Sequence, residues 1–196
     1  MHFMGLDLYL KKLFLGNLVM VVCGAFYLAW WIVAFRPKGA SGGRGTGWTG
    51  LLLFGAIAAG IVSIVFMARG ISTAPPHTAA IFPGRSILWG GIAVYFILLA
   101  VTCFLLKRQV TTELFLIVGW AMLELSAINA MYGTGRFGMK TSVLLIVVIG
   151  VAVLVSMVCY LLYYKLEAAA GYVAGMIPLI ADAAAMACVA AATAVL

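Results

Sequence analysis

Six long apolar stretches, separated by short connections, take up most of the sequence. They cover residues 13–35, 50–67, 87–106, 112–132, 142–164 and 172–195. A helix of about 20 apolar residues matches the hydrocarbon thickness of a bilayer, and it satisfies its own backbone hydrogen bonds there. We therefore expect an all-α, polytopic integral membrane protein with six transmembrane helices. An even number of crossings places both termini on the same side.

The composition agrees with this class, because 66% of the residues are hydrophobic and 9% are charged. Soluble domains carry about a quarter charged residues. We expect residues 1–196 to form a single membrane domain in the lipid bilayer of the plasma (inner) membrane. The net charge of +7 comes from basic residues in the connections, where contact with lipid headgroups is their ordinary role. We therefore expect no nucleic-acid partner.

The distribution of Lys and Arg does not assign the cytoplasmic face. We call the side that holds both predicted termini end A and the opposite side end B. Each side carries six of these basic residues. Since orientation follows the excess of positive charge on one side, an equal count leaves both orientations open.

Two acidic residues lie in the middle part of a span, Glu124 in the fourth and Asp182 in the sixth. A charged side chain at the bilayer centre costs about 2.5–3.5 kcal/mol, so an acid is rarely found there without a use. With a rise of about 1.5 Å per residue, Glu124 lies ~18 Å and Asp182 ~15 Å from end B. The similar depths predict that both carboxyl groups belong to one site.

Four further residues complete the predicted ligand-binding or proton/cation-coupling site. Trp120 precedes Glu124 by one helical turn, Ser63 and Tyr95 reach a similar depth, and Asn17 lies nearer end A. The hypothesis is a polar layer that opens toward end A and narrows to the carboxyl groups. For Asn17, an interhelical hydrogen bond is an equally good interpretation. Each acid can be protonated and without function, can share a proton with a neighbour, or can bind a cation from outside the chain.

Other polar residues receive structural interpretations. Glu113 stands in the first turn of the fourth helix, where a negative charge stabilises the helix dipole. Asn129 is predicted to make an interhelical hydrogen bond. Pro178 removes one backbone hydrogen bond and frees the Ala174 carbonyl, so we expect a kink one turn before Asp182. The proline-containing connection between the second and third spans is expected to pack over end A.

Pairs of small residues one turn apart mark the second and sixth spans. Small faces let helices approach closely, either within the chain or against a second copy or a partner membrane subunit. The pairs are Gly55 and Ala59, Ala56 and Gly60, and Gly171 and Gly175.

The function predicted from these features is binding of a small solute or cation at a mid-membrane carboxylate site. A transporter, or the substrate-binding membrane subunit of one, is the first interpretation. The alternative is a membrane-embedded lipophilic-ligand binder, sensor or accessory subunit without transport activity. An intramembrane enzyme is less well supported, because the spans contain no His, no paired metal ligands and no Ser/Lys dyad. No catalytic residue, metal or cofactor is predicted.

Overall fold

The computed structural model describes residues 2–35, 47–75, 79–105, 107, 112–163 and 166–195. Within these ranges all regular secondary structure is helical. The helices are α1 (His2–Ala34), α2 (Gly47–Ser72), α3 (Ser86–Ala100), α4 (Thr112–Gly133), α5 (Met139–Tyr163) and α6 (Ala168–Val195). A π-helical turn at Val101–Leu105 continues α3.

All six helices in the described part of the chain are long and apolar enough to cross a membrane. The predicted all-α fold with six membrane-spanning helices is therefore confirmed, and the protein is a multi-pass membrane protein. Helix α1 begins well before residue 13, because the segment that contains Lys11 and Lys12 continues the helix beyond the apolar stretch. The basic connection at 36–46 and the expected span ends at Leu106 and Tyr164 lie outside the described residues.

Five of the helices form a closed ring. Helix α1 packs against α2 and α6, α6 against α5, α5 against α4, and α4 reaches α2. Helix α3 lies outside this five-helix ring, packs mainly against α4, and has no buried residue between Ser86 and Ala100. The interior of the protein is therefore built by α1, α2, α4, α5 and α6.

Contacts between helix ends show how the ring is oriented. The hydroxyl oxygens of Tyr9, near the start of α1, and Thr134, just after α4, are 2.7 Å apart. The Thr193 hydroxyl, near the end of α6, lies 3.7 Å from the Met131 sulfur on α4. The start of α1 and the end of α6 thus lie at the same end of the bundle, which is end A.

The half of the ring nearer end A is densely packed. Buried side chains from all five of its helices and from the α4–α5 connection form one cluster, which we call the end-A core. It includes Tyr9, Leu13, Met67, Ile128, Met131, Phe137, Leu145, Ile149 and Val189. Close packing extends to Gly70 on α2, where an added Cβ would lie 2.7 Å from Leu13 Cδ2.

Glycines on α2 and α6 pack against α1 of the same chain. An added Cβ at Gly55 would lie 3.4 Å from the Phe26 ring, and one at Gly60 would lie 3.4 Å from the Cys23 sulfur. At Gly175, an added Cβ would overlap the Trp31 indole. Close approach within the ring accounts for these glycines.

Candidate functional site

The half of the ring nearer end B encloses a cavity of about 470 Å³, which we call the ring cavity. All five ring helices contribute to its lining, and α3 contributes nothing among the described residues. Most of the lining surface is apolar. The polar, sulfur-containing and aromatic residues of the lining are Met20, Cys23, Tyr27, Trp31, Glu113, Phe115, Trp120, Ser156, Cys159, Tyr160, Asp182 and Met186.

Asp182 supplies a carboxyl group toward the inner end of the cavity. Its Oδ1 atom accepts a hydrogen bond of 2.9 Å from the Ser156 hydroxyl on α5. Helix α6 runs without interruption through Pro178, which has no N–H to offer the Ala174 carbonyl. Both Pro178 and Ala174 line the cavity. A carboxylate has several lone-pair sites, so one bond from Ser156 leaves acceptor capacity for a ligand.

Aromatic side chains form much of the cavity wall. Tyr27 and Trp31 come from α1, Trp120 from α4 and Tyr160 from α5. The orientation of Trp31 is set by its indole Nε1, which donates a 3.1 Å hydrogen bond to the Tyr172 carbonyl at end B. Aromatic faces attract cations through their quadrupole.

The charged groups of the cavity lining are acidic. Asp182 lies toward the inner end, and Glu113, in the first turn of α4, lies near end B. No Lys or Arg occurs among the cavity-lining residues that the structure describes. The ring cavity therefore favours positive over negative ligands.

Glu124 is placed differently from Asp182. Its side chain is fully buried, with 0% exposure, and it does not line the ring cavity. Neither carboxyl oxygen has a hydrogen-bond partner. The Trp120 indole Nε1 is close, one turn earlier on α4, but it makes no hydrogen bond of normal length and angle. Asp182 bonds to Ser156 instead, so the two acids are not brought together as one bonded pair.

Ser63 bonds from α2 to α1, whereas the hydrogen bond of Asn17 stays within α1. The Ser63 hydroxyl donates a 2.6 Å hydrogen bond to the Gly16 carbonyl, and the Asn17 amide donates at 3.1 Å to the Leu13 carbonyl. Both side chains are fully buried and neither lines the ring cavity. The structure gives both residues a packing role, although the Asn17 Oδ1 atom has no partner.

Tyr95 lies outside the ring. It lines a groove of about 590 Å³ between α2, α3 and α4, which we call the lateral groove, and its ring centroid is 6.0 Å from that of Phe115. The expected polar layer open to end A is therefore not formed. The end-A core fills that half of the ring, and the cavity lies in the half nearer end B.

Asn129 holds the connection between α2 and α3. Its Oδ1 atom accepts hydrogen bonds from the backbone N–H groups of Ile81 (2.9 Å) and Phe82 (3.0 Å), and its Nδ2 donates to the Phe82 carbonyl (3.1 Å). The predicted partner was another helix, whereas the observed partner is the connecting loop. One amide therefore fixes the loop over end A.

Trp120 was predicted for the site, whereas Ser156 and the other wall residues, Tyr27, Trp31 and Tyr160, were missed from the sequence. A signal for Ser156 was present, because it lies eight residues before the expected end of the fifth span. At about 1.5 Å per residue this is ~12 Å from end B, close to the level of Asp182. The aromatic residues gave no such signal, since Trp and Tyr near span ends usually mark the headgroup level.

Comparison of the chain with protein-family models, curated proteins and solved structures found no match. Within the described ranges, no three His, Cys, Asp or Glu side chains lie close enough to hold a metal ion. The geometry of the ring cavity is therefore the observation that bears on function.

Proposed function

We propose that this protein binds a small, largely apolar organic cation in the ring cavity, with Asp182 as its counter-charge. The observation that carries the proposal is a carboxyl group, bonded to Ser156, toward the inner end of a cavity whose lining is mainly apolar and aromatic apart from Glu113 near end B. A cation gains from both the carboxylate and the aromatic faces, whereas an anion gains from neither. A volume of about 470 Å³ lies within the range of small-molecule sites.

Equilibrium binding of tetraphenylphosphonium, a cation with four phenyl rings, to the purified protein in lipid nanodiscs tests this proposal. Asp182→Asn removes the counter-charge and keeps the shape of the side chain. We expect its Kd to rise about 30-fold, which corresponds to ~2 kcal/mol. Triphenylphosphine, which carries no charge, should bind equally to the wild type and to Asp182→Asn.

Glu167→Gln is the matched control, because Glu167 is an exposed acid before the start of α6 and does not line the cavity. Its affinity for tetraphenylphosphonium should equal that of the wild type. Wild-type affinity in Asp182→Asn, or no binding above empty nanodiscs, would show that the proposed function is wrong.

Transport of the bound cation is a second candidate function, and Glu124 favours it. This acid is buried and unbonded beyond the ring cavity, on the helix that carries Trp120. A carboxyl group between the ring cavity and the end-A core can carry the proton or cation that drives movement across the membrane.

The transport candidate is tested with tetraethylammonium, which crosses bilayers slowly, and protein reconstituted in liposomes. We expect uptake driven by a pH gradient in the wild type, and loss of the dependence on the gradient in Glu124→Gln with binding retained. If wild-type liposomes take up no more than protein-free liposomes, the protein is a binder, sensor or accessory subunit and not a transporter.

A further inference from the structure

The ring cavity and the lateral groove share one wall. Phe115, Gly119 and Leu123 of α4 line both spaces. These residues are four apart in sequence, so they lie along one edge of the helix. The wall between cavity and groove is thus a single edge of α4, at the side where α4 faces α2.

This wall is thinnest at Gly119. Glycine has no side chain, and an added Cβ at this position would find no heavy atom within 4 Å. The contact between α2 and α4 is also the sparsest contact in the five-helix ring. Space therefore exists on both sides of α4 at a point where only backbone separates them.

The lateral groove is suited to molecules dissolved in the bilayer. Its lining is apolar except for the hydroxyl groups of Ser72, Tyr95 and Ser126, and the Ser126 hydroxyl is bonded to the Met122 carbonyl of its own helix. No charged side chain occurs in the described part of this lining. A hydrated ion would lose water there without compensation, whereas an apolar molecule would not.

We propose that a bilayer-dissolved ligand reaches the ring cavity through the lateral groove, passing Gly119 between α2 and α4. This inference rests on the proposed function, because it takes the ring cavity as the binding site. It adds the class of ligand, which is a lipophilic cation that partitions into the hydrocarbon before it binds. The competing route leads from water at end B, past Glu113.

Two variants obstruct the lateral route at different points. Gly119→Leu places a side chain in the open space of the shared wall. Ala68→Phe fills the groove from α2, and Ala68 does not line the ring cavity. Gly150→Leu is the matched control, because Gly150 lies on the exposed surface of α5 and an added Cβ there also meets nothing within 4 Å.

Time-resolved photolabelling measures the route. An apolar aryl diazirine is mixed with the protein in nanodiscs, a light flash follows at increasing delays, and labelled peptides are mapped by mass spectrometry. Labelling at the cavity-lining residues Leu179 and Asp182, resolved from the exposed Ile177 and Ile180 of the same helix by fragmentation, should appear about tenfold more slowly in Gly119→Leu and Ala68→Phe than in the wild type and Gly150→Leu. Labelling of Leu144 and Leu154, which are exposed on α5, serves as the internal reference and should be equal in all four proteins.

Equal cavity-labelling rates in the wild type and both obstructed variants would overturn the proposal, as would a wild-type cavity that the diazirine does not reach. Rapid labelling of the cavity by a sulfonated diazirine, which stays in water, would assign the route to end B. These outcomes are separate from failure of the proposed function, which is read from the tetraphenylphosphonium affinity of Asp182→Asn.

Discussion

The two halves of the five-helix ring are made from the same helices but are packed in different ways. Near end A, large side chains such as Tyr9, Phe137 and Met131 are fully or almost fully buried against one another. Near end B, the same helices enclose a cavity of about 470 Å³. Polar atoms differ as well, since Glu124 is unbonded in its dense surroundings and Asp182 is bonded to Ser156 beside open space.

The difference indicates that the two halves of the ring have different structural roles. In a bilayer, apolar side chains gain little from leaving lipid, so helix association depends on close packing and on hydrogen bonds between helices. The end-A core supplies that packing. The half nearer end B can then keep a cavity, because the helices are already held in place.

The largest expected difference between the halves comes from the same substitution made in each. Gly70→Leu overlaps Leu13 in the end-A core, so we expect the free energy of unfolding to fall by about 3 kcal/mol. Gly119→Leu enters open space and should change it by less than about 1 kcal/mol, with part of the change a gain in helix propensity. Reversible unfolding in detergent–lipid mixtures measures both. Equal losses would show that the halves do not differ in packing.

Replacement of the unbonded acid should stabilise the protein. Glu124→Met removes two buried oxygen atoms that lack partners and keeps a side chain of similar length. Since an unsatisfied buried polar group costs about 1–3 kcal/mol, we expect a gain of ~2 kcal/mol in the free energy of unfolding. Tetraphenylphosphonium binding should be unchanged. A loss of stability would mean that Glu124 is bonded, and that the contrast with Asp182 is wrong.

Removal of the Asn129 amide should loosen the loop at end A. Asn129→Ala deletes three hydrogen bonds to the backbone of Ile81 and Phe82, and we expect a loss of about 1.5 kcal/mol. Hydrogen exchange at residues 79–85 should accelerate, while exchange at residues 168–175 near end B stays as in the wild type. If hydrogen exchange accelerates at both ends, Asn129 does not hold the end-A loop independently of the rest of the bundle.

The smallest expected effect concerns the bond that orients the cavity acid. Ser156→Ala removes the hydroxyl that donates to Asp182, and the Kd for tetraphenylphosphonium should rise about fivefold, or ~1 kcal/mol. Ser156→Thr, which keeps the hydroxyl, should restore most of the affinity. If Ser156→Ala binds as the wild type does, Asp182 is held in place by the fold of α6 alone.

The sequence was sufficient for the number of helices and for the depth of polar groups along them. Apolar length identifies a span, and the rise per residue puts Asp182 and Ser156 at similar levels. The sequence did not predict the direction in which each side chain points. Glu124 shares the depth of Asp182 but not its surroundings, because spans that are apolar on all sides carry no periodicity that marks an inner face.

The sequence also did not predict which of the six helices form the ring. Tyr95 was placed in the site because its depth was suitable, but α3 packs outside the ring and carries Tyr95 into the lateral groove. Which five of six spans enclose a cavity depends on contacts between distant helices. Ser63 shows the same limit, since its partner is the Gly16 carbonyl 47 residues away.

Closure of the ring has a consequence for how the protein is assembled. Helices α1 and α6 are the first and the last of the six, and they are joined at end B by Trp31, whose indole bonds to the Tyr172 carbonyl, and by the Tyr172 hydroxyl, which bonds to the Ile32 carbonyl. The α1–α2 hairpin can pair as soon as both helices are inserted, because its bonds are local to that pair. The cavity cannot. Until α6 enters the membrane the inserted helices leave the ring open between α5 and α1, and the ring cavity is completed when α6 packs against both.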